Sequence, residues 1–472
     1  MSTNISNRVQ GSETTEQDLD TVLHNAAAAA GPLAEQRPED RAAMLRSIAT
    51  TLEDAGDELI QLAIEETHLS EPRLTGELRR TTFQLRLFAD EVLHGKDVRI
   101  DPSDPEWPMG PRPDLRRTQI PLGPVLVFAA SNFPFAFSVP GGDTASALAA
   151  GCPVVVKAHP GHPELSARVS ECIHLALEKV GAPTGTFAVI YGREAGVTAL
   201  KDSRIQAGAF TGSIGGGRAL FDIANQRPQP IPFFGELGSN NPVFVTRKAA
   251  AERAEEIAKE YIEAVTGSAG QLCTKPGTLF VPSGAGITEA ISQMQLPGAV
   301  PLLMPRMEED FIQGIQQLTS SPELEVIAGV VTSDKAAPVI VKTSMKHFLN
   351  NSELRDEQFG PYSLVVEYED ESDLLPALES FEGQLTGSIH GTDDDSPNDL
   401  VDALVHKCGR VLWNSWPTGV SVTYAQQHGG PYPATTAVQT TSVGTAAMHR
   451  FLRPVTYQGF PSRLLPTELR EI

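Results

Sequence analysis

The chain has 472 residues, which at ~100 to 200 residues per domain means two to four domains with sizeable cores and excludes a peptide or minimal binding module. Its 37 Lys and Arg stand against 59 Asp and Glu, a formal net charge of −22, so the overall field recruits neither nucleic acid nor an anionic membrane surface. A hydrophobic content of 40% with 20% charged residues excludes disorder as the main state.

The opening residues, through about Glu16, read as a loose polar tail without a signal-peptide core. No stretch approaches the ~18 to 20 apolar residues of a membrane span, and a cytoplasmic location is expected. Leu19 to Leu93 reads as helices. Leu45, Ile48, Leu52, Leu59 and Ile60 recur at helical spacing, Pro38 before Glu39 and Asp40 makes a helix start, and Asn25 precedes an alanine run. The Pro-rich DPSDPEWPMGPRPD that follows cannot be a central strand or a long helix, and predicts a crossover with a projecting hairpin that meets a partner subunit.

From Pro124 short apolar runs alternate with helical segments. Strands are predicted at Val125 to Ala129, Val154 to Lys157, Phe187 to Ile190 and Ile205 to Phe210, and helices at Thr144 to Ala150, Glu164 to Val180, Glu194 to Lys201 and Gly216 to Asn225. Continuous apolarity in these strands means burial on both faces, as in a parallel sheet, and predicts a doubly wound α/β domain that binds ligands at the carboxyl ends of its strands. A second alternation follows Pro242. It has helices at Ala249 to Val265 and Ile287 to Gln295, and strands at Leu279 to Val281, Glu325 to Val331, Ser363 to Tyr368 and Val411 to Asn414. The tail, Thr441 to Gln458, reads as an edge strand or arm.

Four cysteines stand at 152, 172, 273 and 408, with no CxxC pair and no Cys/His cluster of zinc spacing, so no metal site is expected. Cys152, Cys172 and Cys408 lie in or beside apolar runs and read as core residues. Cys273 differs: GSAGQLCTKPG gives it small, flexible neighbours, the surroundings of an approachable nucleophile, against the alternative of a buried structural thiol. Glu236, in PFFGELGSNNP, is either a turn cap or a desolvated carboxylate whose pKa rises towards that of a general base. Asn132, in AASNFPFAFS, either caps a turn or aims its amide at a developing oxyanion. FTGSIGGGRAL, with Gly212, Ser213 and three further glycines, does not match GxGxxG but offers helix N-terminal amides to a pyrophosphate.

In this order, ASNFP, VVVKAHPGHP, FTGS, ELGSNNP, GQLC and DEQFGP resemble the aldehyde dehydrogenase superfamily. The wording of AASNFPFAFSVPGGDTASALAAGCPVVVKAHPGHP, FFGELGSNNPVFV and HGGPYPATT looks most like the branch holding α-ketoglutaric semialdehyde (2,5-dioxopentanoate) dehydrogenases and bacterial NADP-dependent fatty aldehyde dehydrogenases. The resemblance implies two doubly wound α/β domains with a small β oligomerisation arm. Their expected bounds are 1–101 with 122–234 for the cofactor domain, 235–420 for the catalytic domain, 102–121 with 439–472 for the arm, and 421–438 for a substrate-channel linker.

The activity so implied is NAD(P)-dependent oxidation of an aldehyde to a carboxylic acid, through a thiohemiacetal and then a thioester on Cys273. The Asn132 amide and the Cys273 N–H hold the oxyanion, and Glu236 activates water. The substrate indicated first is α-ketoglutaric semialdehyde, giving 2-oxoglutarate, and after it a fatty aldehyde or another semialdehyde. The resemblance places Lys157 on the adenosine ribose, Gly212 and Ser213 on the pyrophosphate, and Glu357 and Phe359 on the nicotinamide ribose and ring. Pro160 stands where NAD-preferring relatives often carry a glutamate, and Arg193 or His159 near a 2′-phosphate favours NADP over NAD. Phe135 and Phe137 are expected at the substrate channel, Trp416 to Tyr424 at its mouth, and Lys275 on a substrate carboxylate. A homodimer or homotetramer with no nucleic-acid or membrane partner is expected. The rivals are a cysteine hydrolase, which would need a histidine partner for Cys273, a CoA-acylating dehydrogenase, which would lack Glu236, and a non-catalytic dinucleotide-binding protein.

Overall fold

The computed structural model describes residues 13–95 and 97–470; the first part of the expected tail lies outside the described residues. Its last part is not loose. Thr14 and Tyr191 exchange hydrogen bonds of 3.0 and 2.8 Å, and Thr15 caps helix α1 (Glu16–Ala34) by accepting from the Asp18 N–H. Helices α2 (Pro38–Asp54), α3 (Gly56–Thr67) and α4 (Glu71–His94) complete the helical layer. Proline in the first turn of α2 and of α4 suits a position whose N–H has no helical partner. Leu45, Ile48 and Leu52 of α2 are sealed from water, each worth ~1.5–3 kcal/mol of apolar transfer.

Strands β1 (Arg99–Asp101) and β2 (Leu115–Pro121) form the hairpin that the proline run predicts, with Trp107 and Met109 exposed in its tip. A five-stranded sheet follows, built from β3 (Val125–Phe128), β4 (Val154–Lys157), β5 (Phe187–Ile190), β6 (Ala207–Thr211) and β7 (Phe233–Glu236). Its order is β5-β4-β3-β6-β7, and each pair is parallel. Helices α5 (Gly142–Ala150), α6 (Pro163–Lys179), α7 (Arg193–Lys201) and α8 (Ile214–Asn225) make the crossovers. The order reverses between β3 and β6, which opens a crevice at the carboxyl ends of the strands.

The second sheet contains β8 (Val243–Val245), β9 (Thr278–Pro282), β10 (Glu325–Gly329), β11 (Val339–Ser344), β12 (Tyr362–Tyr368), β13 (Gln384–His390) and β14 (Cys408–Trp413), with helix α9 (Arg247–Thr266) between β8 and β9. The strand order is β10-β11-β12-β9-β8-β13-β14; β10 is antiparallel to β11 and the other pairs are parallel. Strand β15 (Leu452–Gln458) pairs with β2 along its whole length, so hairpin and tail form one three-stranded sheet. Among the described residues no helix is long and apolar enough to cross a membrane.

Candidate active site

Parallel strands end on one side of their sheet, so residues far apart in sequence gather there. Asn132 follows β3, Lys157 ends β4, Ser213 follows β6 and Glu236 ends β7, while Arg193 opens α7 just beyond β5. The stretch from His428 to Val443 is laid against β7. Gly235 N–H donates to Thr436 Oγ1 at 2.8 Å, Thr436 N–H returns a bond to Gly235 O at 3.0 Å, and Leu237 N–H donates to Ala434 O at 2.8 Å.

That stitching delivers two side chains to Glu236. Ser442 Oγ donates to Oε2 in a short hydrogen bond, and His428 Nε2 lies 2.7 Å from Oε1. That Oε1 has no other hydrogen-bond partner among the described residues. His428 Nε2 is also 3.8 Å from Cys273 Sγ, and the donor atoms of Glu236, Cys273 and His428 lie within 4.8 Å of one another. The cysteine spacing gave no hint of such a cluster, because Cys273 and His428 are 155 residues apart.

The loop that carries Cys273 is strained and clamped. Ser268 and Ala269 sit in the left-handed region at φ 52° and 54°, which costs such residues ~1 kcal/mol or more each. Asn241 Nδ2 donates to the carbonyls of Cys273 at 2.8 Å and Lys275 at 3.0 Å. Gln384 Oε1 holds that clamp by accepting from the N–H groups of Asn240 and Asn241 at 2.7 and 3.0 Å. Asn132 Nδ2 donates to Gln271 O at 3.0 Å, two residues before the cysteine, and its carbonyl oxygen is held by Arg73 at 2.9 Å. A primary amide has a second N–H, so this bond anchors Asn132 beside the sulfur without exhausting it as a donor.

Burial pushes the Cys273 thiol well above its usual pKa, and the charges of Glu236 and Glu357 push it further. The resting nucleophile is a thiol that must lose its proton on attack. Burial also opposes the Glu236 carboxylate, but adjoining His428, then the Ser442 hydroxyl and Arg450, outweigh it and hold its pKa below the ordinary carboxyl range. This corrects the expectation of a raised pKa. Desolvation is present there, but paired partners win, and an ionised carboxylate stands ready to receive a proton.

The cofactor side is more open. Ser213 caps α8 by accepting from the Gly216 N–H at 3.3 Å, and a side chain at Gly215 would meet nothing within 4 Å, so the amides of this helix start face free space. At Gly212 a side chain would strike the Phe210 ring. Burial lowers the pKa of Lys157, whose ammonium has no hydrogen-bond partner among the described residues. With the exposed Arg193, these groups fit an extended dinucleotide with its pyrophosphate on the helix start. His159 does not join them. Burial takes its pKa down to about 3 and its Nδ1 accepts from the Gly161 N–H, so it carries no charge for a 2′-phosphate.

Glu357 lies against the Gly238–Ser239 backbone, where a side chain at Gly238 would strike its carboxylate; burial raises its pKa while Lys275 opposes the rise. Phe359 is half-buried in the same loop, which packs against Gly270 through the Gly360 carbonyl. Three channel expectations need correction. Lys275 is spent on structure, donating to Gln358 O at 3.1 Å and Tyr362 O at 2.6 Å. Phe135 is wholly buried in the core, whereas Phe137 packs 6.2 Å from the His428 ring. Trp416 packs on His390 and Tyr261, on the seven-stranded sheet, and bonds Glu260 instead of forming a mouth.

His428 is the residue that sequence reasoning missed. Its signal was the HGGPYPATT motif, which by itself says nothing about proximity to β7. One parallel sheet, a second that is parallel but for its edge strand β10, an antiparallel arm and a thiol facing a carboxylate are the parts of a two-domain α/β enzyme of the aldehyde-oxidising kind. The chain belongs to the aldehyde dehydrogenase family, whose profile matches residues 5–453. It is 42% identical over 445 residues to an alpha-ketoglutaric semialdehyde dehydrogenase of Acinetobacter baylyi, covering 92% of this chain and 85% of that one. Against alpha-ketoglutaric semialdehyde dehydrogenase 2 of Azospirillum brasilense it is 43% identical over 444 residues, covering 91% and 85%. The fold is similar to that of aldehyde dehydrogenase 21 from Physcomitrella patens, solved with the reaction product succinate, at a TM-score of 0.80 and 21% identity, covering 94% of this chain and 91% of that one.

Proposed function

We propose that this dehydrogenase oxidises α-ketoglutaric semialdehyde to 2-oxoglutarate, with NADP as the favoured cofactor and NAD as the alternative. The identity to the two semialdehyde dehydrogenases supports the substrate, and the observation that carries the chemistry is Cys273 Sγ beside His428 Nε2, itself in contact with Glu236.

As Sγ bonds to the aldehyde carbon, the thiol proton passes to His428 Nε2, which lies in contact with both Sγ and the Glu236 carboxylate. The carbonyl oxygen becomes an oxyanion held by the Asn132 amide and the Cys273 N–H. A nicotinamide held beside Cys273 would supply the hydride acceptor, and loss of hydride from that carbon would leave a thioester on Cys273. Glu236 then takes a proton from water as the water oxygen adds, the carbon–sulfur bond breaks, and the sulfur regains its proton. Lys157 supports the adenosine ribose, Gly212 and Ser213 the pyrophosphate, and Glu357 and Phe359 the nicotinamide end. Pro160 repels no 2′-phosphate and Arg193, exposed at the start of α7 just beyond β5, supplies a cation on that edge, which favours NADP.

The three sheets support the division into a cofactor domain, a catalytic domain and an arm, with β1 (Arg99–Asp101) joining the arm sheet rather than the cofactor domain in which the expected bounds put it. The exposed Trp107 and Met109 in the hairpin support a homodimer or homotetramer. Initial rates with α-ketoglutaric semialdehyde, succinic semialdehyde, pentanal and a fatty aldehyde, each with NAD and NADP, test the reading. The highest kcat/KM is expected for α-ketoglutaric semialdehyde with NADP; a fatty aldehyde that outruns it overturns the substrate, and comparable values with NAD overturn the cofactor preference.

A further inference from the structure

Of the four arginines of helix α4, Arg73 and Arg80 look alike in sequence and differ completely in their surroundings. Arg73 is fully engaged: its guanidinium donates to Glu77 and Asn132 O at 2.5 and 2.9 Å, and to Ser268 Oγ at 2.6 Å. Arg80, two turns further on, makes no hydrogen bond or ion pair among the described residues, and its Nη1 is shut away from solvent without a partner. A buried guanidinium nitrogen left empty is costly and calls for an explanation, and a ligand that pairs with it on binding is one.

Its location says which partner. The Arg80 guanidinium lies 5.4 Å from the Phe137 ring centre, and Phe137 also packs on His428, which touches Cys273. Four residues along the same helical face, Gln84 is buried and its Nε2 is also unpartnered. That amide lies beside Gly142 and the carbonyl of Ser442, the residue that bonds Glu236. Beyond it Leu87 closes an apolar patch with Val422, Val443 and Phe137. Burial lowers the Arg80 pKa, and the opposing charges it feels are Glu77, Cys273 and Glu236 in that order. Two empty donors, one of them cationic, thus lie on the side of the site where Phe137, His428 and Ser442 lead to the nucleophile.

We propose that Arg80, with Gln84 one turn away, is the anchor for the carboxylate at the far end of the substrate, and so sets the preference for an ω-oxo acid over a neutral aldehyde. The proposal rests on the semialdehyde reading above. It assigns the cation that Lys275, spent on backbone carbonyls, cannot provide.

The test compares kcat/KM for α-ketoglutaric semialdehyde with that for pentanal, an uncharged aldehyde of the same carbon count. In Arg80→Gln the ratio of the two should fall about a hundredfold, as expected when one partner of a desolvated charge pair is removed, and Arg80→Lys should restore part of it. Gln84→Met should lower the ratio about tenfold, the loss of one hydrogen bond to a charged group. A second readout needs no turnover: 2-oxoglutarate should protect Cys273 of the wild-type holoenzyme from iodoacetamide, and that protection should vanish in Arg80→Gln. A ratio that moves less than threefold, or protection that survives, overturns the anchor. A wild-type enzyme that prefers pentanal to the semialdehyde overturns the substrate reading instead, before any variant is made.

Discussion

The two flanks of the carboxyl edge of the five-stranded sheet are built on opposite plans. On the flank of β7, Glu236, His428, Ser442, Asn241 and Gln384 are tied into one bonded network around Cys273. On the flank of β4 and β5, Lys157 has no hydrogen-bond partner and Arg193 is exposed, and the glycine-rich start of α8, which follows β6, is exposed as well. Groups that move protons are fixed before substrate arrives, because their position sets the barrier; groups that hold a cofactor stay unpaired, because their partner is the cofactor itself. The Arg80 and Gln84 pair follows the second plan while standing within the first region.

The sharpest break in that contrast comes from the network side. Cys273→Ala should lower aldehyde oxidation by at least about ten-thousandfold while cofactor binding, read by fluorescence quenching, persists. Turnover that survives would remove the thiol from the mechanism. Next in size, Glu236→Gln should give a burst of reduced cofactor followed by a steady state about a thousandfold slower, as thioester accumulates. The same variant sharpens the electrostatics. Cys273 has a pKa well above that of a free thiol, so its alkylation by iodoacetamide should still be rising beyond pH 9 in the wild type. Removing the negative charge of Glu236 lowers the thiol pKa and moves that rise to lower pH; a shift upward would contradict the assignment.

His428→Asn should cost about a hundredfold in kcat. His428 is what chiefly holds the Glu236 carboxyl down against burial, so its loss should raise that pKa and carry the acid limb of the kcat profile to higher pH. An unmoved acid limb would leave His428 as packing alone. The smallest effect belongs to the open flank: Arg193→Gln should reduce the NADP over NAD ratio of kcat/KM about tenfold, with little change for NAD. Equal losses with both cofactors would place Arg193 elsewhere on the dinucleotide.

Legibility in the sequence followed the physics of each region. Strands β4 and β5 were readable to the residue, since an all-parallel sheet buried on both faces writes itself as an unbroken apolar run. Strand β13 is just as buried but reads QLTGSIH, and its polarity hid it. Cys273, Glu236 and Asn132 were legible through their local motifs. His428, Arg80 and Gln84 were not: their roles arise only when a distant segment or a helix face meets the site, and no spacing within the sequence encodes that meeting. The direction of the Glu236 pKa was misjudged for the same reason, since its partners come from residues 428 and 442.

The late origin of those partners has a consequence for the life of the chain. Cys273 and Glu236 emerge from the ribosome well before His428 and Ser442, and the strand-like stitching to β7 cannot form until the later segment has been made. Throughout synthesis the thiol therefore lacks both its base and the burial that later raises its pKa. The oxidising site is completed only when the segment around residues 428–443 docks on β7, so a chain stalled or cut before that segment is made carries an exposed thiol without the network that directs it.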